Sequence, residues 1–430
     1  MKALARAALA LVALALAAAG WLWHVNFNDG VDVGPTTAPA PATPAQQARG
    51  AYLARVGNCL ACHTARGGAP GAGGLALATE FGTVFSSNLT PDPTHGIGQW
   101  SAAAFWRALH HGRSRDGRLL APVFPYTHTT LLTRADSDAL FAYFTSLPPS
   151  STPTPPHELR WPYGTQAALA LWRALYFQPG SYVPDAKQDE RWNAGAYLVR
   201  GVAHCSACHA PRDALGGADW RDLRGGLMKA QGWRAPSLHD ARQAGLADWS
   251  AAEIARLLQT GVAERGRASG PMAEVVFHGT QYLSDADADA MAVYLRALPQ
   301  TAATPPPAAP ATRSRVAQSG AKLYEQHCAQ CHGEQGQGHG LAYPPLAGNR
   351  AVTLESVDNL LQGVLYGGFN SATAGYPRPF GMPPFVLTLS DTEIAATLSH
   401  IRTAWGNQAS EVSAAQVQAL RARTAAAARR

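Results

Sequence analysis

All six cysteines of this chain fall in three pentads of the form Cys-x-x-Cys-His: Cys59-Leu60-Ala61-Cys62-His63, Cys205-Ser206-Ala207-Cys208-His209 and Cys328-Ala329-Gln330-Cys331-His332. Two thiols three residues apart share one helical turn, so each can form a thioether to a haem edge, while the imidazole that follows swings under the ring as proximal iron ligand. The chemistry predicted is covalent attachment of three haem c groups. Cys59, Cys62, Cys205, Cys208, Cys328 and Cys331 are the attachment residues, and His63, His209 and His332 the proximal ligands. Zinc sites and redox dithiols also use paired cysteines, but zinc usually gathers two Cys/His pairs around one ion, and neither reading requires a His after the second Cys each time.

An electron-transfer haem commonly takes a sixth ligand from the protein, most often a Met, whose thioether favours ferrous iron and raises the potential. The chain has only five methionines. Met382, in Phe380-Gly381-Met382-Pro383-Pro384-Phe385, and Met272, in Ser269-Gly270-Pro271-Met272, stand between a pentad and the helix that closes its repeat, and both are expected as ligands. A Met filling core space is the competing reading, and it suits Met291 and Met228 better. The first repeat has no Met. Phe124 stands in Val123-Phe124-Pro125-Tyr126-Thr127-His128, 61 residues beyond His63, much as Met272 stands 63 residues beyond His209. Phenylalanine cannot ligate iron, so His128 becomes the candidate, with His110, His111 or an open five-coordinate iron as alternatives. A bis-His first haem would sit below its Met-ligated neighbours in potential.

Positioning these groups falls to short helices. Each pentad ends a helix opened by Gly50-Ala51-Tyr52-Leu53, Gly195-Ala196-Tyr197-Leu198 or Gly320-Ala321-Lys322-Leu323. Each repeat closes with a helix announced by a capping box, at Thr133 to Asp136, Ser284 to Asp287 and Ser390 to Glu393, followed by apolar residues at helical spacing. The fold class is therefore mainly α, with three tandem domains at 48–148, 187–299 and 316–407. Pro-rich stretches suggest the joints: a linker at 30–47 that would hold the domains off a membrane, a connecting segment at 149–186, and a linker at 300–315. Residues 408–430 form a basic tail, in which Val412 to Leu420 followed by arginines suggests either a docking helix or a frayed end.

Residues 1–29 are a signal or membrane anchor: a positive start, then an apolar run from Ala7 to Trp23. Ala17-Ala18-Ala19 offers a cleavage site, while Trp21 and Trp23 follow as an interfacial belt would, which favours an uncleaved anchor. The bulk of the protein is expected on the periplasmic side of the inner membrane. The formal charge of +6 is offset by about six haem propionate charges, so nucleic-acid binding is not inferred.

The order of motifs resembles the membrane-bound three-haem cytochrome c subunits of bacterial periplasmic dehydrogenases. The likeness is carried by the pentads, Phe81 to Asp92, Gly96-Ile97-Gly98-Gln99-Trp100, Gly270 to Val276 and Tyr376 to Phe385. It implies small all-helical cytochrome c domains, with first and last helices crossing beside each haem. It implies a partner catalytic subunit carrying molybdopterin, flavin or a quinone cofactor, and a quinone, small cytochrome or oxidase as acceptor. Where alcohol- and gluconate-type members show Ala-Met-Pro-Tyr, this chain has Val123-Phe124-Pro125-Tyr126, which looks like the cytochromes that accompany molybdenum hydroxylases. No acid, base or nucleophile constellation points to independent chemistry on an organic substrate. A peroxidase built on a Met-less first haem and a free-standing carrier are the rival readings.

Overall fold

The computed structural model describes residues 1–34, 42–301 and 314–428. The Pro/Ala/Thr stretch at 35–41, the Pro-rich stretch at 302–313, and Arg429 and Arg430 lie outside the described residues. The described chain is mainly helical, with only small antiparallel sheets of two or three strands.

Helix starts follow their caps. Ser390 and Glu393 form the full reciprocal box that opens Asp391–Thr403. At Thr133 and Ser284 each hydroxyl accepts from the backbone N–H three residues on, ahead of Arg134–Thr145 and Asp285–Arg296. A full box at Thr43 and Gln46, not anticipated, starts the helix Pro44–Val56 ahead of the expected boundary.

One packing device recurs three times. The first helix of each repeat lays a glycine on the backbone of the closing helix: Gly50 on Ala139, Gly195 on Ala290, Gly320 on Ala396. A β-carbon on any of these glycines would overlap that alanine's carbonyl and lie 2.8 Å from the Tyr143, 2.9 Å from the Tyr294 or 3.0 Å from the His400 β-carbon. The helices therefore cross with backbones nearly touching, which only a missing side chain permits.

The chain divides into two compact units. One comprises Met1–Val183, Arg200–His204 and Arg212–Trp220, and the other Pro184–Val199, Cys205–Pro211 and Arg221–Arg430.

In the first unit, described parts of the segments expected as linkers, 30–47 and 149–186, are part of the fold. Asn88, 2% exposed, donates its amide to Ser150 O at 2.8 Å and Thr152 O at 3.1 Å, stitching down the Pro148–Pro156 stretch. Glu158–Leu159 then adds a third strand to the hairpin Ala76–Thr79 and Gly82–Phe85, and the helix Gln166–Tyr176 follows. Residues after the apolar helix Lys2–Phe27 are also tied down: Asp29 pairs with Arg113, and Val33 O accepts from Ser101 Oγ at 2.6 Å. Asp29 and Val33, just before and within the stretch expected as a linker at 30–47, are therefore bonded to the first unit.

In the second unit the expected end at residue 407 is corrected as well. Val412, Val417 and Leu420 join Ile394, Leu398, Leu361 and Leu365 in one core cluster. Arg421 bonds Asp391 at 2.6 Å and Val386 O at 2.6 Å, and Arg423 bonds Asp358 at 2.7 Å. Within the helix Ala414–Ala428, Val417 and Leu420 are buried against the third repeat.

Candidate haem-attachment sites

Each pentad forms a single helical turn. The His63 N–H donates to Cys59 O at 2.9 Å, His209 to Cys205 O at 3.0 Å and His332 to Cys328 O at 2.9 Å. Both sulfurs of each pair thus leave one turn, as the spacing predicts. No disulfide joins any of the six cysteines. Burial, reinforced by the paired cysteine, pushes the Cys59 and Cys205 thiols up to about 12 and that of Cys328 up to about 11. A working dithiol needs a thiol pulled down instead. Among the described residues no three His, Cys, Asp or Glu side chains gather as a metal site.

The three imidazoles are oriented alike. Nδ1 lies 2.7 Å from Ser87 O for His63, 2.8 Å from Pro236 O for His209 and 3.0 Å from Pro344 O for His332. A carbonyl only accepts, so Nδ1 carries the proton and the lone pair is on Nε2, the nitrogen an axial ligand uses. Burial lowers the pKa of all three, with the carbonyl bond working in the opposite direction. A neutral ring with a fixed tautomer beside two thiols on one turn is a donor set that fits haem c.

A second layer was not read from the sequence. Gly73, Gly225 and Gly338 donate their N–H groups to the carbonyls of His63, His209 and His332 at 2.8, 2.7 and 2.8 Å. Their φ angles are 72°, 91° and 67°. A β-carbon there would lie 2.5 Å from Ser87 C, 3.0 Å from Pro236 C and 2.7 Å from Pro344 C, against the same groups that hold the imidazoles. The available signal was a glycine pair after each pentad, Gly73-Gly74, Gly225-Gly226 and Gly336-x-Gly338. Its variable distance from the histidine hid it.

The expected sixth ligands have these placements. Met382 sits in a two-residue strand, Gly381–Met382, paired with Gly368–Phe369, and packs on the same core cluster as Cys328. Met272 is the second residue of the helix Pro271–His278. The preceding Gly270 rests on the Trp233 ring, three residues before Pro236. Met291 is fully buried, as a packing residue should be.

In the first unit Phe124 is half-buried and His128 is 1% exposed. The His128 ring meets Trp220 edge-on at 5.0 Å and lies 6.2 Å from His204, with Nδ1 3.0 Å from Thr127 Oγ1. Burial, then the neighbouring His204 and Arg212, pulls its pKa down to about 3. His110 stacks on Trp106 at 4.3 Å, and burial with His110 alongside takes His111 down to about 4.

Comparison with known proteins adds a second line. The cytochrome c family model matches residues 181–299 and 317–405, which span the second and third pentads. The chain is 38% identical over 397 residues to the cytochrome c subunit of the quinone-dependent alcohol dehydrogenase of Gluconacetobacter polyoxogenes, covering 87% of this chain and 83% of that one. It is 36% identical over 415 residues to the fructose dehydrogenase cytochrome subunit of Gluconobacter japonicus, covering 90% and 85%. It is 40% identical over 409 residues to a nicotinate dehydrogenase subunit of Pseudomonas putida, covering 90% of this chain but 33% of that longer protein.

Proposed function

Because this chain belongs to the family of cytochrome c subunits of dehydrogenase complexes, we propose that it carries electrons through three covalently bound haems from a catalytic subunit to the respiratory chain. The family reading makes it an electron-transfer subunit, with the dehydrogenase chemistry on another chain. A bound haem supplies one-electron transfer at iron. This chain's residues supply the rest: thioether attachment through three cysteine pairs and an imidazole held in one tautomer at each pentad.

The observation that carries the proposal is the threefold recurrence of one arrangement: the pentad turn, the carbonyl on Nδ1 and the left-handed glycine behind it. It supports a haem at the first pentad, outside the spans matched by the family model, as much as at the other two. Met382 and Met272 are the proposed sixth ligands of the third and second irons. His128 is the proposed sixth ligand of the first.

The proposed place is the periplasmic face of the inner membrane. The 26-residue helix Lys2–Phe27, which contains an 18-residue stretch of mean hydropathy 2.0, is the proposed anchor. A quinone, small cytochrome or oxidase is the proposed acceptor. One feature favours a molybdenum-hydroxylase partner over an alcohol- or sugar-oxidising one, Phe124 at the Met position, and the 40% identity to the nicotinate dehydrogenase subunit fits a partner that oxidises an N-heterocycle.

The test is to solubilise membranes, purify the chain through a C-terminal tag and identify the large subunit that accompanies it. A dehydrogenase whose substrate reduces the haems is the expected result. A lone protein that turns over peroxide would instead support the peroxidase reading.

A further inference from the structure

The helix Gln166–Tyr176 lies in the first unit beside the end of the apolar helix. Asn26, one residue before the end of Lys2–Phe27 and 2% exposed, donates to Ala170 O at 3.1 Å and accepts from Arg173 Nε at 2.8 Å. Phe27 packs on Leu119, Leu169 and Ala170. At 100° per residue these contacts, with Trp172 on Leu215 O, account for one side of the helix. The remaining stripe, Ala167, Leu171 and Leu175, is exposed, with Leu171 at 51% and Leu175 at 57%. The only charged side chain on this helix, Arg173, is buried, so the stripe is apolar with nothing ionic on it.

Distance along the anchor says what covers this stripe. From Ala7 to Trp23 the apolar run is roughly 25 Å long at 1.5 Å per residue, close to the thickness of a bilayer's hydrocarbon core. Trp21 and Trp23, 53% and 67% exposed, then fall at the boundary where indole rings prefer to lie. Asn26 is about 4.5 Å further along the axis, inside a headgroup layer roughly 5–8 Å deep. A helix clamped to Asn26 by two hydrogen bonds lies in that layer.

We infer that Gln166–Tyr176 is an interfacial helix that seats the first unit on the lipid surface through Leu171 and Leu175. This rests on the reading of Lys2–Phe27 as an uncleaved anchor. It makes the anchor's exit a fixed joint, because Asn26, Phe27 and Asp29 hold the domain at the membrane. An apolar face at this depth is covered by acyl chains and glycerol backbones.

The test uses the full haem-loaded chain in nanodiscs of phosphatidylethanolamine and phosphatidylglycerol. A nitroxide is attached in turn through L171C, L175C, L387C and V12C. The native cysteines are held in thioethers, so unsubstituted protein sets the background. Collision with oxygen, which concentrates in lipid, is compared with collision with a water-soluble nickel chelate by electron paramagnetic resonance. L171C and L175C should favour oxygen several-fold more than L387C, which substitutes a residue 96% exposed in the second unit. If L171C matches L387C while V12C stays dry, the interfacial helix is refuted and the anchor stands. If L171C is shielded from both reagents, protein and not lipid covers the stripe, which also refutes it. If V12C is wet or missing from the purified chain, the anchor reading fails and this inference with it.

Discussion

Gly338 presses its bare α-carbon toward Pro344, the residue whose carbonyl oxygen lies 3.0 Å from His332 Nδ1 and accepts its hydrogen bond. A methyl group there would stand 2.7 Å from Pro344 C, on a backbone whose φ is 67°. For G338A the left-handed conformation alone costs about 1–2 kcal/mol, and the collision displaces the carbonyl. Potentiometric titration of the visible spectrum should show one wave of three lost or shifted, with two unchanged.

G195A addresses a different contact, the crossing of Glu190–Tyr197 under Asp285–Arg296. The new methyl overlaps Ala290 O and comes within 2.9 Å of the Tyr294 β-carbon. Forced separation of two packed helices costs about 1–3 kcal/mol or more. A lower melting temperature in calorimetry, with G50A and G320A behaving alike, is the expected outcome.

Replacing Met382 or Met272 by Ala should remove a thioether from one iron each. Each variant is expected to lose part of the methionine-to-iron near-infrared absorption and to lower one midpoint potential. M291A, which alters a fully buried packing residue, should cost about 2–5 kcal/mol of stability and leave the absorption untouched.

At the first haem, H128A should convert one low-spin ferric centre to high spin, read by electron paramagnetic resonance. F124M should raise the potential of the same centre by supplying the ligand its position lacks. An unchanged spin state in H128A would remove His128 from the ligand set.

Arg402 is 0% exposed and donates to Val352 O at 2.6 Å, Leu354 O at 2.8 Å and Ser410 O at 2.7 Å. Its burial pulls the guanidinium down to about 10. In R402M those carbonyls lose their donor, at about 1–3 kcal/mol for each buried group left unsatisfied. Denaturant unfolding should show the second unit weakened.

The pentads and closing helices were legible because they are short-range: a helical turn fixes where the thiols point, and a cap fixes where a helix starts. What escaped depends on partners far along the chain. Ser87, Pro236 and Pro344 are 24, 27 and 12 residues from the histidines they hold, and no local pattern sets those intervals. The proline stretch at 148–156 read as a joint because composition reports chain stiffness and says nothing of Asn88 bonding Ser150 and Thr152. Likewise Val412 to Leu420 has the same apolar spacing whether it meets lipid, a partner or, as here, Ile394 and Leu398.

The central claim is three haems on one electron-transfer chain, and the most direct test is the count. The intact protein is weighed under denaturing conditions, haem c is assayed as the pyridine haemochrome, and residual thiols are titrated. The account predicts three haems per chain and no reactive thiol. Two haems with Cys59 and Cys62 open to reagent would contradict it.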